Sequence, residues 1–264
     1  MNRLRTAALA VVAVALVALP AAAETEADAD ANATPWYSRV MLYGWVPVSA
    51  AANITLGQDS VSMQASTADL VKALEFTAAI RGEFWYARKM GLLVDLFYVM
   101  TGGEASVGQA DFTLEVSQAL GEAAFAYRLA TWPTSSDARA MTIAADLYAG
   151  VRISRFKIDL DVNSTSHSRT NTLVDPIIGM RVPVQLAPSW QLVVRGDVGG
   201  FGIDSDLIWD VEFGFEHDVS SAIGIELGYR IMDIVFSADA GNATQQASVK
   251  SLTHGPAIGA SLAF

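Results

Sequence analysis

The most constraining feature of this sequence is an alternation of period two that recurs along most of the chain. In Asp206–Glu216, large apolar side chains occupy one set of alternate positions, and acidic residues or glycine occupy the other, with Ile208 as the exception. The same pattern recurs in 90–100, 141–153, 174–186 and 223–231. Successive side chains of a β-strand point to opposite faces of the sheet. The pattern therefore predicts strands with one apolar face and one polar or small face.

Such strands fill the chain from residue 36 to its end. We predict about ten of them, with eight to twelve possible, near 36–48, 75–87, 90–101, 110–130, 139–157, 171–186, 190–201, 206–217, 221–236 and 247–264. Short turns alternate with longer polar loops, which we place at 102–109, 159–171, 200–205 and 237–247. This asymmetry is typical of membrane barrels.

Two segments depart from the regular alternation. A change of parity in the fourth strand predicts a bulge near Ser117–Gly121. Residues 49–74 do not fit the scheme: Asn53–Met63 could be a further strand or part of a long external excursion. Within the same region, Ser66–Leu74 has the capping residue and the apolar spacing of a short helix.

The polar face indicates that the apolar face points outward. The whole chain has only four lysines, and the cations of the alternating segments are arginines, which pair efficiently with carboxylates in a confined interior. Ten strands of large apolar side chains would also overfill a small barrel. Mean hydropathy is +0.32, yet after residue 23 no stretch approaches the ~18 apolar residues of a spanning helix. The sequence therefore predicts an all-β, transmembrane antiparallel β-barrel as one domain over 36–264.

The N-terminus carries the features of a secretory signal peptide in residues 1–23. Arg3 and Arg5 precede a short apolar run, and Ala21–Ala23 follows Pro20 as a small-residue cleavage site. Residues 24–35 are acidic and aperiodic, which predicts a flexible tail. The chain is therefore expected beyond the inner membrane, with both barrel termini on the periplasmic side.

The last strand alternates through Ile258, Ala260, Leu262 and Phe264 and ends on an aromatic residue. This ending resembles the insertion signal of Gram-negative outer-membrane barrels, with Leu262 and Phe264 as the signal residues. Stretches at 43–47, 83–98, 174–181, 196–209 and 228–230 resemble a family of largely uncharacterised, porin-like outer-membrane β-barrels, and the Gly-Asp-Val-Gly-Gly-Phe-Gly block at 196–202 is the most specific part. The run after Arg230 departs from that family. The resemblance implies the fold and an outer-membrane location, and it implies no substrate.

If the apolar faces meet lipid, the polar faces line the lumen with arginines and carboxylates. The predicted lumen residues are Arg81, Arg128, Arg152, Arg181, Arg195, Arg230, Glu75, Glu83, Asp95, Glu122, Asp146, Asp175, Asp197, Asp210, Glu212 and Glu226. One interpretation is a charge-paired interior that closes a narrow barrel. The other is a small pore whose acidic surplus favours cations.

Several function classes are excluded or weakly supported. A net charge of −11 repels nucleic acid, and the absence of cysteine removes disulfides, thiolate metal sites and cysteine nucleophiles. The glycine-rich block is followed by a strand, whereas a nucleotide loop precedes a helix. Asp204 and Asp206 alone are a weak calcium signal. We predict no cofactor and no metal.

Enzymatic activity is the alternative to a structural or pore-forming barrel. His167 lies between Ser166 and Ser168, whereas His217 and His254 border strands. A base and a nucleophile normally come from different elements, so we predict no catalytic residues. A lipid A deacylase-like enzyme stays an alternative, as does a soluble periplasmic barrel that binds an apolar ligand.

The expected partners follow from the predicted location. They are outer-membrane lipid and lipopolysaccharide, together with periplasmic chaperones and the barrel-assembly machinery during insertion. External cations could pair with lipopolysaccharide phosphates or simply be solvated; they are Arg155, Lys157, Arg169 and Lys250.

Overall fold

A computed structural model of the chain describes residues 35–56, 59–65, 67–107, 110–133, 141–162, 165–239 and 246–264. The predicted signal peptide and all but the last residue of the predicted acidic tail lie outside these ranges.

The described chain consists of twelve strands and one short helix. The strands are β1 (Trp36–Trp45), β2 (Ser49–Leu56), β3 (Asp59–Ala65), β4 (Leu74–Tyr86), β5 (Met90–Val107), β6 (Ala110–Pro133), β7 (Thr142–Val162), β8 (Thr165–Ala187), β9 (Trp190–Gly199), β10 (Leu207–Asp218), β11 (Ile223–Asp239) and β12 (Gln246–Ala263). The helix, α1, spans Thr67–Ala73. Among the described residues, no helix is long and apolar enough to cross a membrane.

Ten of the strands close into an antiparallel barrel. Their order is β1-β4-β5-β6-β7-β8-β9-β10-β11-β12, and β12 returns to pair with β1 from Ala257↔Trp45 to Ala263↔Arg39. Beyond Trp45 the chain keeps following β12, because the amides of Val46 and Val48 bond to carbonyls of that strand. It then forms the β2–β3 hairpin, which adds to the same edge. The predicted barrel, its strand number and the short helix are confirmed.

The two ends of the barrel differ. The chain enters and leaves at one end, where the Ser38 and Phe264 backbones exchange two hydrogen bonds and Pro188–Ser189 forms a tight turn. Short turns lie on the periplasmic side of outer-membrane barrels, so this end is periplasmic. At the other end β5–β8 and β11–β12 run far past the barrel. The 24 residues of β6 exceed the ~9–11 that cross a bilayer.

These long strands correct three predicted loops. Segments 102–109, 159–171 and 237–247 form hairpin strands up to Val107, Val162 and Asp239. The loop at 200–205 is as predicted: backbone φ is positive at Gly200, Phe201 and Gly202, and β10 begins at Leu207. Above the membrane, neither face of a hairpin contacts lipid. The alternation of apolar and polar residues that predicts a strand from the sequence is therefore lost.

The predicted bulge near Ser117–Gly121 is wrong, because the register of β6 with β5 and β7 is continuous there. The register shifts between Arg128 and Ala130 instead. Inside the membrane zone the outward side chains of β6 are apolar, such as Phe125. Further out the inward side chains are apolar, such as Leu120. The change of parity thus reflects a change of surroundings along one regular strand.

Outward-facing side chains form an apolar belt around the barrel. Its members include Leu92, Leu96, Phe125, Ile153, Ile178, Leu227 and Ile258. Aromatic residues border it on both sides, with Trp36, Tyr86 and Trp190 near the periplasmic end and Tyr98 and Tyr229 near the external end. A band of this kind with aromatic girdles is the lipid-facing surface of an outer-membrane barrel. It argues against a soluble barrel, whose apolar faces point inward.

Candidate functional site

The centre of the lumen is built around the fully buried guanidinium of Arg152. Alternation along β7 points this side chain inward. Its Nη2 lies 2.7 Å from Glu122 of β6 and 2.8 Å from Asp197 of β9. A third carboxylate, Asp210 of β10, is 3.7 Å away. One arginine thus lies within 4 Å of carboxylates from three strands, as a planar group with several donors can do.

Two short ion pairs cross the lumen between distant walls, and a third joins Arg195 of β9 to Asp95 of β5 at 3.9 Å. Arg81 of β4 contacts Glu212 of β10 at 2.7 Å, and it also contacts Asp95 of the neighbouring β5 at 2.8 Å. Arg181 of β8 reaches Glu83 of β4 at 3.0 Å. In each cross-lumen pair, the two strands are separated by four positions in the ring of ten strands. Directly opposite strands would be separated by five. These side chains therefore bridge the channel.

The remaining predicted arginines also find carboxylates. Arg195 of β9 is paired with Glu122. Arg128 of β6 lies 2.7 Å from Asp146, which also accepts from Arg181 at 3.3 Å. Arg230 of β11 donates through Nε to Asp210 at 2.8 Å. The structure thus brings the predicted arginines and most of the predicted acids into one charged layer. Within it, Arg128, Arg181, Asp146 and Glu83 form one group of linked ion pairs, and the remaining arginines and acids form a second.

Three predicted acids stand apart from this layer. Asp175 is fully buried, but it accepts hydrogen bonds from the amide and hydroxyl of Ser205 in the external turn. Glu226 is buried in the lumen wall without an ion pair within 4 Å among the described residues. Glu75 is wrongly predicted as a lumen residue, because the register shift between Leu74 and Phe76 leaves its side chain exposed.

Sequence reasoning missed four lumen residues. Tyr43 donates to Asp95 at 2.7 Å, and Tyr148 donates to Asp197 at 2.9 Å. Arg39 is paired with Glu216 at the periplasmic end. Their positions follow the parity of their strands, so the alternation itself was the available signal. Tyr148 shares the polar face of its strand with Asp146 and Arg152, but a tyrosine is not a charged residue, and only the structure shows that the hydroxyls of both tyrosines serve the ion network.

An apolar roof covers this charged layer on its external side. Buried side chains from most strands form it: Trp45, Phe97, Val99, Leu120, Leu173, Ile208, Met232, Ile234 and Phe236, with Phe156 packed against them. Trp45 is fixed by a 3.1 Å hydrogen bond from its indole nitrogen to the Gly255 carbonyl. The roof separates the charged layer from the external hairpins.

A small cavity lies below the charged layer, towards the periplasm. Its volume is about 30 Å³, which suits one or two water molecules. Four arginines and four glutamates are among its lining residues: Arg39, Arg81, Arg181, Arg195, Glu83, Glu212, Glu216 and Glu226. Within the described ranges, no three His, Asp or Glu side chains are arranged to hold a metal ion.

The other sequence candidates lie outside the lumen. Asp204 accepts from the Val174 amide at 2.8 Å, and Asp206 accepts from the Ser237 hydroxyl at 3.1 Å, so both brace the external turn. His217 stacks on Trp190 with ring centroids 4.0 Å apart, and His254 contacts the hydroxyl of Tyr229. The side chain of His167 lies outside the described residues.

The predicted external cations are exposed, with one partial exception. Lys157 forms a 2.7 Å ion pair with Asp159 of the same strand. Hydrogen bonds from Lys157 and Ser168 lower the pKa of the Asp159 carboxyl. Lys250 is 3.8 Å from the buried Asp233. Arg155 and Arg169 are exposed, and neither forms an ion pair among the described residues.

Comparison with known proteins gives outer-membrane barrels. Matched structures include the attachment invasion locus protein Ail of Yersinia pestis (10% identity, 86% of this chain and 99% of that chain, TM-score 0.36). They also include the outer membrane protease OmpT from Escherichia coli (11% identity, 88% of this chain and 98% of that chain, TM-score 0.49). A third is the outer membrane protein OprG from Pseudomonas aeruginosa (12% identity, 87% of this chain and 95% of that chain, TM-score 0.38). No family model and no curated sequence matches the chain. The particular family suggested by the glycine-rich block therefore stays a prediction, and identities this low extend no activity to this chain.

Proposed function

We propose that this protein is a structural barrel of the Gram-negative outer membrane whose lumen does not conduct. One observation carries the proposal. Arg81–Glu212 and Arg181–Glu83 join walls four strands apart, so the charged side chains fill the channel. A barrel of about ten strands is close to the size at which side chains alone fill the interior.

The apolar roof adds a second barrier. An ion that passed the charged layer would next meet the packed side chains of Phe97, Ile234 and Phe236, which offer it no ligands. Conducting porins have more strands and a water-filled lumen. The small-pore interpretation would require both layers to open.

Planar-bilayer recording tests this proposal. The folded mature protein should add no stepwise conductance at graded salt concentrations, while a known porin in the same bilayers gives steps. Phe236→Ala removes one aromatic ring from the roof and leaves the charged layer in place, so this variant should add no conductance either. Reproducible, cation-selective steps from the wild-type protein would instead support the small pore.

Location and partners belong to the same proposal. The apolar belt between aromatic girdles is suited to outer-membrane lipid, with lipopolysaccharide around the external half. Phe264 at the end of β12 would be read by the assembly machinery, helped by periplasmic chaperones. Deletion of Phe264 should reduce the folded, heat-modifiable protein in the membrane fraction, whereas Ser221→Ala in a periplasmic turn should not.

We propose no catalytic role. A direct check is lipid A mass spectrometry of cells that carry or lack the protein, which should give identical acyl patterns. If the patterns differ, His167→Ala is the first variant to examine, because it is the candidate base of the deacylase alternative.

A further inference from the structure

The external part of β8 is an unpaired strand edge. From Thr165 to Val174, which we name the β8 edge, the strand pairs with β7 on one side and with no strand of the described residues on the other, because β9 ends at Gly199 opposite Ile177. The polar side chains along it are exposed at Ser166, Ser168, Thr170 and Thr172. A long edge of this kind is a template for an added strand.

Two hydrogen bonds fix which backbone groups face the open side. The carbonyl of Pro176 accepts from Gly200, and the amide of Val174 donates to the Asp204 carboxylate at 2.8 Å. Backbone groups alternate between the two sides of a strand. The N–H and C=O groups of Thr172, Thr170 and Ser168 therefore face away from β7. On this open side, the amide nearest the membrane is that of Val174, and its hydrogen bond already goes to Asp204.

The edge carries little of the usual protection against pairing. No proline, lysine or register shift interrupts Thr165–Val174, and Arg169 is its one charged residue, whereas edge strands commonly carry several such features. Its outward side chains at even positions are small hydroxyls, which leave room for a neighbouring strand.

The charges around the edge select the occupant. Arg155 and Lys157 lie on β7 directly behind Thr172 and Thr170, on the outward face. Only the two threonine side chains separate them from an added strand. Arg155, which has no ion pair among the described residues, can reach the side chains of that strand, and Lys157 can do so by exchanging its ion pair with Asp159. Asp159 and Asp161 occupy the matching positions nearer the hairpin tip. The membrane-proximal half is therefore basic and the distal half acidic.

Two other occupants do not fit. The N-terminal segment enters the barrel at the periplasmic end, where Trp36 pairs with Tyr86. In a second copy in the same membrane β8 also runs from outside to inside, so two such edges would not meet antiparallel. The remaining occupant is an extended segment of another molecule in the external medium.

We propose that the β8 edge binds an extended peptide segment by antiparallel strand addition, with acidic residues in the N-terminal half of that segment. Because β8 runs towards the membrane, an antiparallel partner runs away from it. Its N-terminal half then lies beside Arg155 and Lys157. Main-chain hydrogen bonds would supply affinity, and the charge pattern would supply specificity.

Synthetic decapeptides in fluorescence anisotropy test the proposal on the full folded barrel in detergent. The probe is Thr-Glu-Thr-Glu-Thr-Gln-Thr-Gln-Thr-Gln, which should bind saturably. The reversed sequence and a version with Lys in place of Glu should bind more weakly by about tenfold. Absence of saturable binding, or equal binding of the reversed peptide, would overturn the proposal.

Edge variants separate strand addition from simple charge attraction. Thr170→Pro removes an amide that faces the open side and breaks no bond to β7, so binding should weaken about tenfold. Thr170→Val keeps the amide and should bind like the wild type. Arg155→Gln should weaken binding of the acidic probe and leave binding of the other peptides unchanged. Unchanged heat-modifiable gel mobility establishes folding, and a Thr170→Pro barrel that binds normally contradicts the proposal. None of these results depends on whether the lumen conducts.

Discussion

The ring of Phe156 on β7 stacks on the ring of Phe236 on β11, with centroids 6.0 Å and planes 17° apart. The two strands are four places apart around the barrel, so this contact crosses the lumen. It joins the external ends of the two long hairpins above the charged layer. The roof therefore includes a direct contact between opposite walls, apart from the ion pairs below.

We expect Phe236→Ala to reduce the free energy of unfolding by about 3–5 kcal/mol, since its ring is buried. Phe156→Ala should cost less, because that ring is only partly buried. A double-mutant cycle, measured by urea unfolding in lipid vesicles, should give a coupling of about 0.5–1.5 kcal/mol. Strictly additive effects would contradict the contact.

Removal of the central arginine should be among the most damaging changes in the lumen. Arg152→Met leaves the carboxylates of Glu122 and Asp197 without their shared partner in a buried site. The expected loss is about 3–5 kcal/mol of unfolding free energy. Adding Asp197→Asn to this variant should restore part of it, because one unpaired charge is removed.

Arg155→Met is the matched control for that experiment. This residue lies on the same strand three positions further on, is exposed, and forms no ion pair among the described residues. We expect a change within about 0.5 kcal/mol. Equal losses for the two variants would show that burial in the ion network is not the cause.

A pair of glycines tests how closely the lumen is packed. A Cβ at Gly179 would lie 2.4 Å from Cζ of Tyr148 and 2.5 Å from the Gly196 carbonyl oxygen. Gly179→Ala should therefore displace the tyrosine from Asp197 and destabilise the barrel by about 1–3 kcal/mol. A Cβ at Gly196 meets nothing nearer than 3.5 Å.

Gly196→Ala should accordingly fold as the wild type does. Thermal unfolding followed by gel mobility compares the two variants under one condition. If Gly179→Ala unfolds at the temperature of Gly196→Ala, the close contact between β8 and Tyr148 is not present in solution.

The fold could be predicted from the sequence because burial and exposure alternate residue by residue. Ile153 and Arg152 are neighbours in sequence, and their opposite character alone predicts that one meets lipid and the other the lumen. The hairpin extensions could not be delimited, because above the membrane a strand such as Thr165–Val174 is polar on its outward face and resembles a loop.

The partners within the lumen could not be predicted for a different reason. Which arginine meets which acid depends on the stagger between strands, and that stagger is a property of the closed ring. Nothing in the local sequence of Arg181 indicates Glu83, almost a hundred residues earlier, as its partner at 3.0 Å. Sequence parity identifies which side chains face inward, and closure of the barrel decides their pairs.

The two hydrogen bonds from Ser205 to Asp175 should stabilise the external turn at 200–206. The carboxylate accepts from the Ser205 amide at 2.8 Å and from its hydroxyl at 2.6 Å, with both residues buried. Asp175→Ala leaves these donors unpaired, so we expect a loss of about 1–3 kcal/mol. Hydrogen exchange at the Ser205 amide should accelerate, while exchange at Glu212 in the neighbouring strand stays slow. Asp204→Ala removes only the bond to Val174 and should leave the Ser205 amide protected. Unchanged protection in Asp175→Ala would mean that the strained backbone at Gly200–Gly202 holds the turn without the carboxylate.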